Sequence, residues 1–371
     1  MSTPDARAVA TLFDPNRLRV ARQLKRLKRV ELAESVGVSA AAISQYESGA
    51  AKPRPTTLAQ LAMQLGMPVG FFATTGRDTP LLDTSRGFFR SLRRTTQLDR
   101  DAALAEAAVL ADLVAAIEQR VVLPDLDLPT DLAASSATTL DEVEEIANEV
   151  RRRWGLDEAE PVKNMVRELE RHGVVVARLS LANDVDAFSW PEPERPLVIL
   201  GTDKGARDRS RLDAAHELAH LVMHYSDPEA ANQTMERQAY RFGAAFLLPA
   251  DAFAEEFGGP RVDWAQLVTL KQRWHVSIQA LLYRARDLEL LSPSGYESAM
   301  KQMSRRGWRV QEPGELGLPE RPLLLKKAAE LLEESGTSIE DLASAVQLPA
   351  DKVRELVGAD QPDHRLVLEF Q

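Results

Sequence analysis

The five residues from His216 to His220 read His-Glu-Leu-Ala-His, and they constrain the fold of this chain more than any other segment. The apolar pattern that continues through Leu221 and Val222 predicts a helix, on which residues four apart share a face. Two imidazoles at that spacing can hold one ion, with zinc–nitrogen bonds of about 2.0–2.1 Å. Glu217, beside the first histidine, is then placed to act as a general base on water. The alternative is that the string occurs by chance on an ordinary surface helix.

A third protein ligand must be His, Asp or Glu, because the chain has no cysteine. His224 continues the histidine row, but it lies about 12 Å beyond His216 along the helix axis, too far to share one ion. We interpret His224 as a helix-end residue that interacts with the C-terminal carbonyl groups. Glu236 is the better candidate, because it opens a second helical pattern in which Ala239 and Gly243 allow close packing against the first helix. The alternative for Glu236 is a solvated glutamate in a first helical turn.

The second helical pattern resembles that of the ImmA/IrrE metallopeptidases, in which a HELGH-like helix is followed by E-x-x-A-N-x-F-A-A, then leucines and a proline. The residues that carry the resemblance are Glu236, Ala239, Phe242, Ala244, Leu247, Leu248 and Pro249. Two residues depart from the pattern, since Tyr240 stands in place of the usual Asn and Gly243 in place of the usual Ala. Both lie near the ligand helix, so hydrogen bonding around the metal can differ from the family's.

The resemblance implies a gluzincin-like α+β metallopeptidase domain. In such a domain His216, His220 and Glu236 would bind Zn²⁺ or another divalent metal, and Glu217 would be the catalytic base. Farther along the chain, Trp274-His275-Val276-Ser277 looks like the family's aromatic-x-V-S turn. His275 could contact the substrate or stabilise an oxyanion there, although a histidine at a helix junction is more often structural.

Length and composition limit the remaining choices. At 371 residues the chain can form two or three domains, and 44% hydrophobic residues can supply their cores. No run of eighteen apolar residues could span a membrane, and the N-terminus lacks an apolar signal core. With zero cysteines, these features predict a cytoplasmic protein without a membrane partner. The net charge of −10 argues against nonspecific nucleic-acid binding by the whole molecule, so DNA affinity needs a local basic patch.

Such a patch occurs between Pro15 and Val30, a segment with seven Lys or Arg residues and no acid. A solvated helix face is the usual explanation of such a run. Here, however, the next residues predict a short helix, a turn at Gly37 and a second helix that follows the N-cap Ser39 and ends before Gly49. Two short helices joined in this way are typical of a helix-turn-helix unit.

Residues 12–75 resemble an Xre-type helix-turn-helix domain of the phage-repressor kind, which is all-α. The resemblance rests on Leu32-Ala33, Gly37-Val38-Ser39, Ile43-Ser44, Tyr46-Glu47, Gly49 and Pro53. It implies that the helix from Ser39 to Glu47 enters the DNA major groove, with Ala40 and Ala41 facing base edges. Alanine can contact a thymine methyl group but forms no hydrogen bond, so specific readout is expected to be weak.

The remaining DNA contacts follow from residue type. Ser44 and Gln45 are expected to provide what base readout there is. Arg29, Lys52 and Arg54 are expected to contact phosphates.

An alanine-rich pattern from about 98 to 122 predicts a connector helix, through which the chain could form a homodimer. An extended linker is predicted up to residue 139, so we assign 76–139 to connector and linker. The metallopeptidase-like domain is assigned to 140–292. Its first elements are predicted as helices at 140–153 and 161–171 and strands at 174–179, 186–190 and 197–201. A strand directly before the HELAH helix suggests that an extended substrate pairs with its edge.

The last part of the chain, 293–371, is assigned to a small C-terminal helical module. Residues 322–357 within it faintly resemble a helix-turn-helix around Ser338 and Asp341, but they lack a basic run, so packing or partner contact is expected. The fold class predicted for the whole chain is mainly α with a small β-sheet.

Taken together, the motifs favour a zinc-dependent endopeptidase fused to a DNA-binding domain, similar to regulators that relieve repression by cutting a helix-turn-helix repressor or an antitoxin. The rival hypothesis is a DNA-binding regulator or antitoxin whose peptidase fold only senses a ligand or holds metal. Glu217 beside both histidines favours catalysis, because holding a metal does not require the base.

Overall fold

The computed structural model describes residues 6–73, 96–181, 185–191, 195–202, 206–225 and 233–359. The first part of the predicted connector region, 76–95, lies outside the described residues. The rest of the chain is mainly helical with one small sheet, which confirms the predicted fold class. No helix within the described ranges is long and apolar enough to cross a membrane.

The N-terminal helices are α1 (Ala6–Thr11), α2 (Pro15–Leu24), α3 (Arg29–Val36), α4 (Ala40–Glu47) and α5 (Pro55–Leu65). The helix α6 (Gln97–Glu118) follows. The sheet and the helices around it are α7 (Leu140–Arg153), α8 (Met165–Arg171), β1 (Val175–Leu179), β2 (Ala187–Trp190), β3 (Leu197–Gly201), α9 (Arg207–Met223), α10 (Gln233–Leu247), α11 (Ala250–Phe257), α12 (Trp264–Trp274), α13 (Ile278–Asp287) and α14 (Pro293–Arg305). The C-terminal helices are α15 (Leu324–Glu334), α16 (Ile339–Val346) and α17 (Ala350–Val357).

Helices α3 and α4 form the predicted helix-turn-helix. Helix α3 ends at Gly37, whose φ of 69° places it in the left-handed region that glycine adopts without steric cost. The side chain of Ser39 caps α4 by accepting a hydrogen bond from the backbone N–H of Ala42 at 3.1 Å. The core beneath the two helices is apolar and closed to solvent. Its fully buried members include Leu18, Leu32, Ile43, Leu58, Leu61 and Leu65.

A buried carboxylate joins three helices of this unit. Glu47, at the end of α4, is 2% exposed and accepts hydrogen bonds from Arg22 of α2 at 2.5 and 3.1 Å. Its Oε2 atom also accepts from Nε of Arg29, in α3, at 2.7 Å. Arg22 donates further to the carbonyl oxygen of Leu27, so both partners of the buried pair are well satisfied.

The predicted connector helix is a central element of the fold. Helix α6 packs on α2, α15, α16 and β3, and Arg17 of α2 hydrogen-bonds to Asp112 of α6. Its buried side combines alanine with larger aliphatic side chains. The buried residues of α6 include Ala103, Leu104, Ala107, Leu110, Leu113, Val114 and Ile117. The apolar face that suggested dimerisation is therefore used within the chain.

The strands form one sheet in the order β1-β3-β2, with β1 parallel and β2 antiparallel to β3. Although β3 directly precedes α9, it is the central strand, and both of its edges are already paired. The expectation that a substrate pairs with the edge of this strand is therefore wrong. One sheet face packs toward α6 and the C-terminal helices through residues such as Ala177 and Ile199, and the other packs toward α8 and α9 through Val176 and Val198.

The two helices α16 and α17 resemble α3 and α4 in their lengths and in the turn that joins them. Each of the four helices has eight residues, and each pair is joined through one left-handed residue, Gly37 in the first pair and Gln347 in the second. The exposed positions differ, since Asp351 and Glu355 stand where α4 has Ala41 and Gln45. The acidic side chains at these positions disfavour contact with phosphates.

Packing is the observed role of this second unit, as the sequence suggested. Lys352 of α17 forms a salt bridge at 2.6 Å with Glu106 of α6, and α17 also contacts β1. Helix α14, assigned from sequence to the same module, instead packs on α13 through the buried residues Ala299 and Met303.

Candidate metal centre

Helix α9 carries the two histidines through the interior of the molecule. It lies against the sheet and against α8 and α10, and its residues Ala215, Leu218, Ala219 and Val222 are fully buried. The helix is therefore held on nearly all sides, which fixes the direction of its histidine side chains. A chance motif on a surface helix is excluded by this burial.

Glu236 lies in the first turn of α10 and is 4% exposed. The neighbouring Ala239 is fully buried, and α10 packs on both α7 and α9. The small residues predicted on this face thus bring the carboxylate to the histidines. The alternative interpretation of Glu236 as a solvated first-turn residue is wrong.

The three side chains His216, His220 and Glu236 converge on one point. Their possible ligand atoms all lie within 4.8 Å of one another. The two Nε2 atoms are 3.1 Å apart, and the Glu236 carboxylate lies 3.4 Å from Nε2 of His216 and 3.7 Å from Nε2 of His220. A tetrahedral zinc ion with bonds of about 2.0–2.1 Å separates its ligand atoms by about 3.3–3.4 Å. The donor set and its spacing therefore fit one such ion.

The electrostatics of the histidines also suit a cation. Burial lowers the pKa of His220 well below its ordinary value, and His216 and His224 lower it further when they are protonated, which favours the neutral ring that binds metals. Burial would also lower the pKa of His216, but the Glu236 and Glu217 carboxylates outweigh it and raise that pKa. A positive charge between these groups is thus favourable.

Glu217 lies beside the three ligands without joining them. It is 4% exposed, and burial raises the pKa of its carboxyl group to about 7, against the opposing effects of His216 and the nearby Ser189 hydroxyl of β2. Within the described part of the chain, its Oε2 atom is buried and has no hydrogen-bond partner. A carboxyl group with a pKa near neutrality can both accept and return a proton at neutral pH.

His224 has a different role from the one the sequence suggested. Both of its ring nitrogens face side chains, with Nδ1 3.0 Å from Nδ1 of His220 and Nε2 3.1 Å from Oε1 of Gln238. The interpretation that its ring interacts with helix-end carbonyl groups is therefore wrong. Sequence reasoning did not find this contact, although the spacing of four residues from His220 was a signal for it.

Tyr240 is a second neighbour of the centre that the motif analysis did not assign. Its ring lies 4.4 Å from the ring of His216, between centroids, and the residue is 46% exposed. The departure from the usual Asn therefore places a partly exposed aromatic ring against His216, one of the three converging side chains.

His275 does not join the converging side chains. It follows α12 in a left-handed conformation with φ 55°. Burial and the charges of Arg211 and Arg207 lower the pKa of His275, while Glu320 opposes them. The predicted oxyanion role stays a prediction.

The residues expected to contact DNA lie in and around α4. Ala41, Ser44 and Gln45 are exposed, while Ser39 caps the helix and Ala40 is half-buried. The three basic residues differ in their surroundings. Arg29 is paired with Glu47, Lys52 donates to the carbonyl oxygen of Thr11 at 2.6 Å, and Arg54 is exposed.

Comparison with known families gives two matches. Residues 169–286 match the IrrE N-terminal-like domain, in the peptidase family M78, and this range contains the three converging ligands, Glu217 and His275. Residues 18–72 match a helix-turn-helix family, and this range contains the residues expected to contact DNA. No curated protein matches the chain.

Proposed function

We propose that this chain, which joins an Xre-type helix-turn-helix domain to an ImmA/IrrE-like metallopeptidase domain, is a regulatory zinc-dependent endopeptidase. Its substrate in this proposal is a helix-turn-helix repressor or an antitoxin, and the cut relieves repression. The observation that carries the proposal is the position of Glu217, a buried carboxylate beside the three converging side chains. A site that only held metal would not need this group.

Each residue of the centre has a distinct part in the proposed reaction. His216, His220 and Glu236 would hold the ion, which when bound polarises the peptide carbonyl group and makes water a better nucleophile. Glu217 accepts a proton from the water molecule as its oxygen attacks the carbonyl carbon. When the carbon–nitrogen bond breaks, Glu217 returns this proton to the leaving amine.

We further propose that residues 12–75 bind DNA, mainly through phosphates. Helix α4 contacts α2 and α3, while α6 contacts the unit through α2, so Ala41, Ser44 and Gln45 of α4 remain exposed in the full chain. Of the seven basic residues between 15 and 30, Arg17 and Arg22 are buried in ion pairs. The exposed ones give this end of an acidic protein a local positive charge, and they are Lys25, Arg26, Lys28 and Arg29.

The rival proposal is a sensor, in which the metallopeptidase fold controls the DNA-binding unit without cutting a substrate. Helix α6 favours it, because it connects the two parts physically. Arg17 of α2 pairs with Asp112, and six residues later, at the C-terminal end of the helix, Glu118 accepts a hydrogen bond at 2.5 Å from Arg195, just before β3. A change at the sheet could thus reach α2 through one helix.

The proposed peptidase activity can be tested with purified protein. Zinc-loaded protein would be incubated with the helix-turn-helix proteins encoded beside its gene, and the products analysed by mass spectrometry. We expect discrete fragments of one such protein and no fragments after a chelator removes the metal. If the candidate proteins instead stay intact in cells in which the wild-type chain changes transcription, this result would contradict the proposal and favour the sensor.

A further inference from the structure

The metal ligand His220 stands at one end of a buried series of hydrogen bonds. Its Nδ1 atom is 3.0 Å from Nδ1 of His224, and Nε2 of His224 is 3.1 Å from Oε1 of Gln238. The Nε2 atom of Gln238 in turn donates to the carbonyl oxygens of Ser135 at 2.8 Å and Thr138 at 3.0 Å. His220, His224 and Gln238 are almost completely buried, so these contacts are made away from bulk water.

The backbone determines the direction of every bond in this series. A carbonyl oxygen only accepts hydrogen bonds, so the amide NH₂ group of Gln238 must point at Ser135 and Thr138. Its Oε1 atom then faces His224 and can only accept. The proton at this contact therefore lies on Nε2 of His224.

Metal binding by His220 requires the same direction for the hydrogen bond between His220 and His224. A neutral imidazole that binds a cation through Nε2 carries its proton on Nδ1. That proton must be accepted by Nδ1 of His224, which has a free electron pair when the neutral ring holds its proton on Nε2. The acceptor oxygen of Gln238 and metal binding by His220 therefore require the same tautomers. His220 carries its proton on Nδ1 and His224 carries its proton on Nε2.

We propose that Gln238 and His224 are positioning residues that hold His220 in the tautomer with its proton on Nδ1, so that Nε2 is ready for the metal. The inference rests on the metal centre of the proposed function but not on peptide cleavage. Partners of this kind usually are carboxylates, backbone carbonyls or water. Here a histidine and a glutamine replace them, and the series ends at two backbone carbonyls.

The anchor of the series is a formed turn between α6 and α7, where the sequence suggested an extended linker. The backbone N–H of Thr138 donates to the carbonyl oxygen of Ser135 at 3.1 Å, and the Thr138 hydroxyl accepts from the N–H of Ser135 at 3.0 Å. The N–H of Ala134 donates to the carbonyl oxygen of Met223 at 2.8 Å, which ties the turn to the end of α9. The two carbonyl oxygens are thus fixed relative to the histidines.

Nitrogen-15 NMR of the metal-free protein tests the tautomers directly. The chain has six histidines, so a histidine-labelled sample gives few signals, and each is assigned by a single substitution. We expect His220 to be protonated on Nδ1 and His224 on Nε2. Protonation of His220 on Nε2, or a mixture of its tautomers in the wild-type protein, would overturn the proposal.

Zinc affinity, measured by competition with a chelator, tests the consequence. Gln238→Leu and His224→Leu remove the fixed acceptor, and each should weaken zinc binding by about 10–100-fold. His224→Asn keeps an acceptor oxygen near the position of Nδ1 and should restore most of the affinity that His224→Leu loses. Gln266→Leu is the matched control, since Gln266 also donates to a backbone carbonyl, that of Glu256, but lies outside the metal centre.

The outcomes separate this proposal from the proposed function. Wild-type zinc affinity in folded Gln238→Leu would overturn the positioning role, whatever the activity of the protein. Equal affinity in His224→Asn and His224→Leu would overturn it as well, and this pair serves if Gln238→Leu does not fold. Zinc binding that depends on Gln238 and His224 in a protein that cuts nothing would support the positioning role and contradict the peptidase.

Discussion

Gly243 of α10 lies directly against the backbone of His216 in α9. A Cβ atom at Gly243 would be 3.3 Å from the His216 nitrogen and 3.4 Å from the carbonyl carbon of Ala215. The glycine thus sets how closely the two ligand helices approach. This distance in turn brings Glu236, two turns earlier on α10, to the two histidines of α9.

A larger side chain at position 243 should separate the two helices. Gly243→Val should destabilise the metal-free protein by about 1–3 kcal/mol, because the added methyl groups have no space between α9 and α10. It should also weaken zinc binding. Urea unfolding and chelator competition measure the two effects. Gly259→Val is the matched control, since nothing lies within 4 Å of a Cβ there. Equal effects of the two substitutions would show that the close approach at Gly243 has no special role.

Removal of the third ligand should abolish tight zinc binding. Glu236→Gln keeps the size of the side chain but removes the charge that faces His216 and His220 at 3.4 and 3.7 Å. Loss of a hydrogen-bond partner of a metal ligand typically lowers metal affinity by about 10–100-fold. We expect zinc affinity to fall by more than this when the ligand itself is removed. Glu168→Gln, in α8, is a control for loss of a buried carboxylate elsewhere. Unchanged zinc affinity in Glu236→Gln would contradict the assignment of this ligand.

The local part of the centre could be predicted from the sequence, because it depends on helical periodicity. The spacing of His216 and His220 and the small residues after Glu236 predicted the three converging side chains correctly. The partners of His224 could not be found in this way, since Gln238 reaches carbonyl oxygens of residues about 100 positions earlier in the chain. No periodic pattern records a contact between such distant segments.

The fold shows the same limit. Helices α3 and α4 were predicted from capping residues and glycine, which act locally. The sequence predicted helix α6 as a connector, whereas it packs on several elements of the fold. Its alanine-rich pattern indicates a helix but not how many elements surround it. The order of the strands was also not predictable, since the short apolar runs of β1 and β3 look alike whether a strand is central or at an edge.

Binding of DNA by residues 12–75 should depend strongly on salt. Arg54→Ala removes one expected phosphate contact and should reduce the slope of log affinity against log salt by about 0.9. Gln45→Ala should lower discrimination between sequences by only a modest amount, because the whole readout by Ser44 and Gln45 is expected to be weak. Fluorescence anisotropy at several salt concentrations measures both effects. Tight, salt-insensitive and strongly sequence-dependent binding would show that these roles are wrong.

The buried carboxylate of Glu47 should be essential to the helix-turn-helix. Glu47→Ala leaves Arg22, which is 6% exposed, without its charge partner, and loss of one member of a buried pair costs about 3–5 kcal/mol. It also releases Arg29. We expect a lower unfolding temperature of this unit and weaker DNA binding, measured by calorimetry and anisotropy. Glu34→Ala, at an exposed position of α3, should change neither; a loss of stability equal to that of Glu47→Ala would contradict the account.

The central claim is that Glu217 performs chemistry beside a bound metal, and Glu217→Gln tests it most directly. The substitution keeps the size of the side chain and leaves His216, His220 and Glu236 in place. Wild type and variant would be compared in cells under a condition in which the wild type alters transcription, with zinc content measured on both purified proteins. We predict that the variant keeps zinc and fold, while cleavage of the partner protein falls by at least about 10²-fold and the dependent genes stay repressed. Normal regulation by Glu217→Gln, combined with loss of regulation in Arg54→Ala, would contradict the peptidase and identify the metal centre as a sensor.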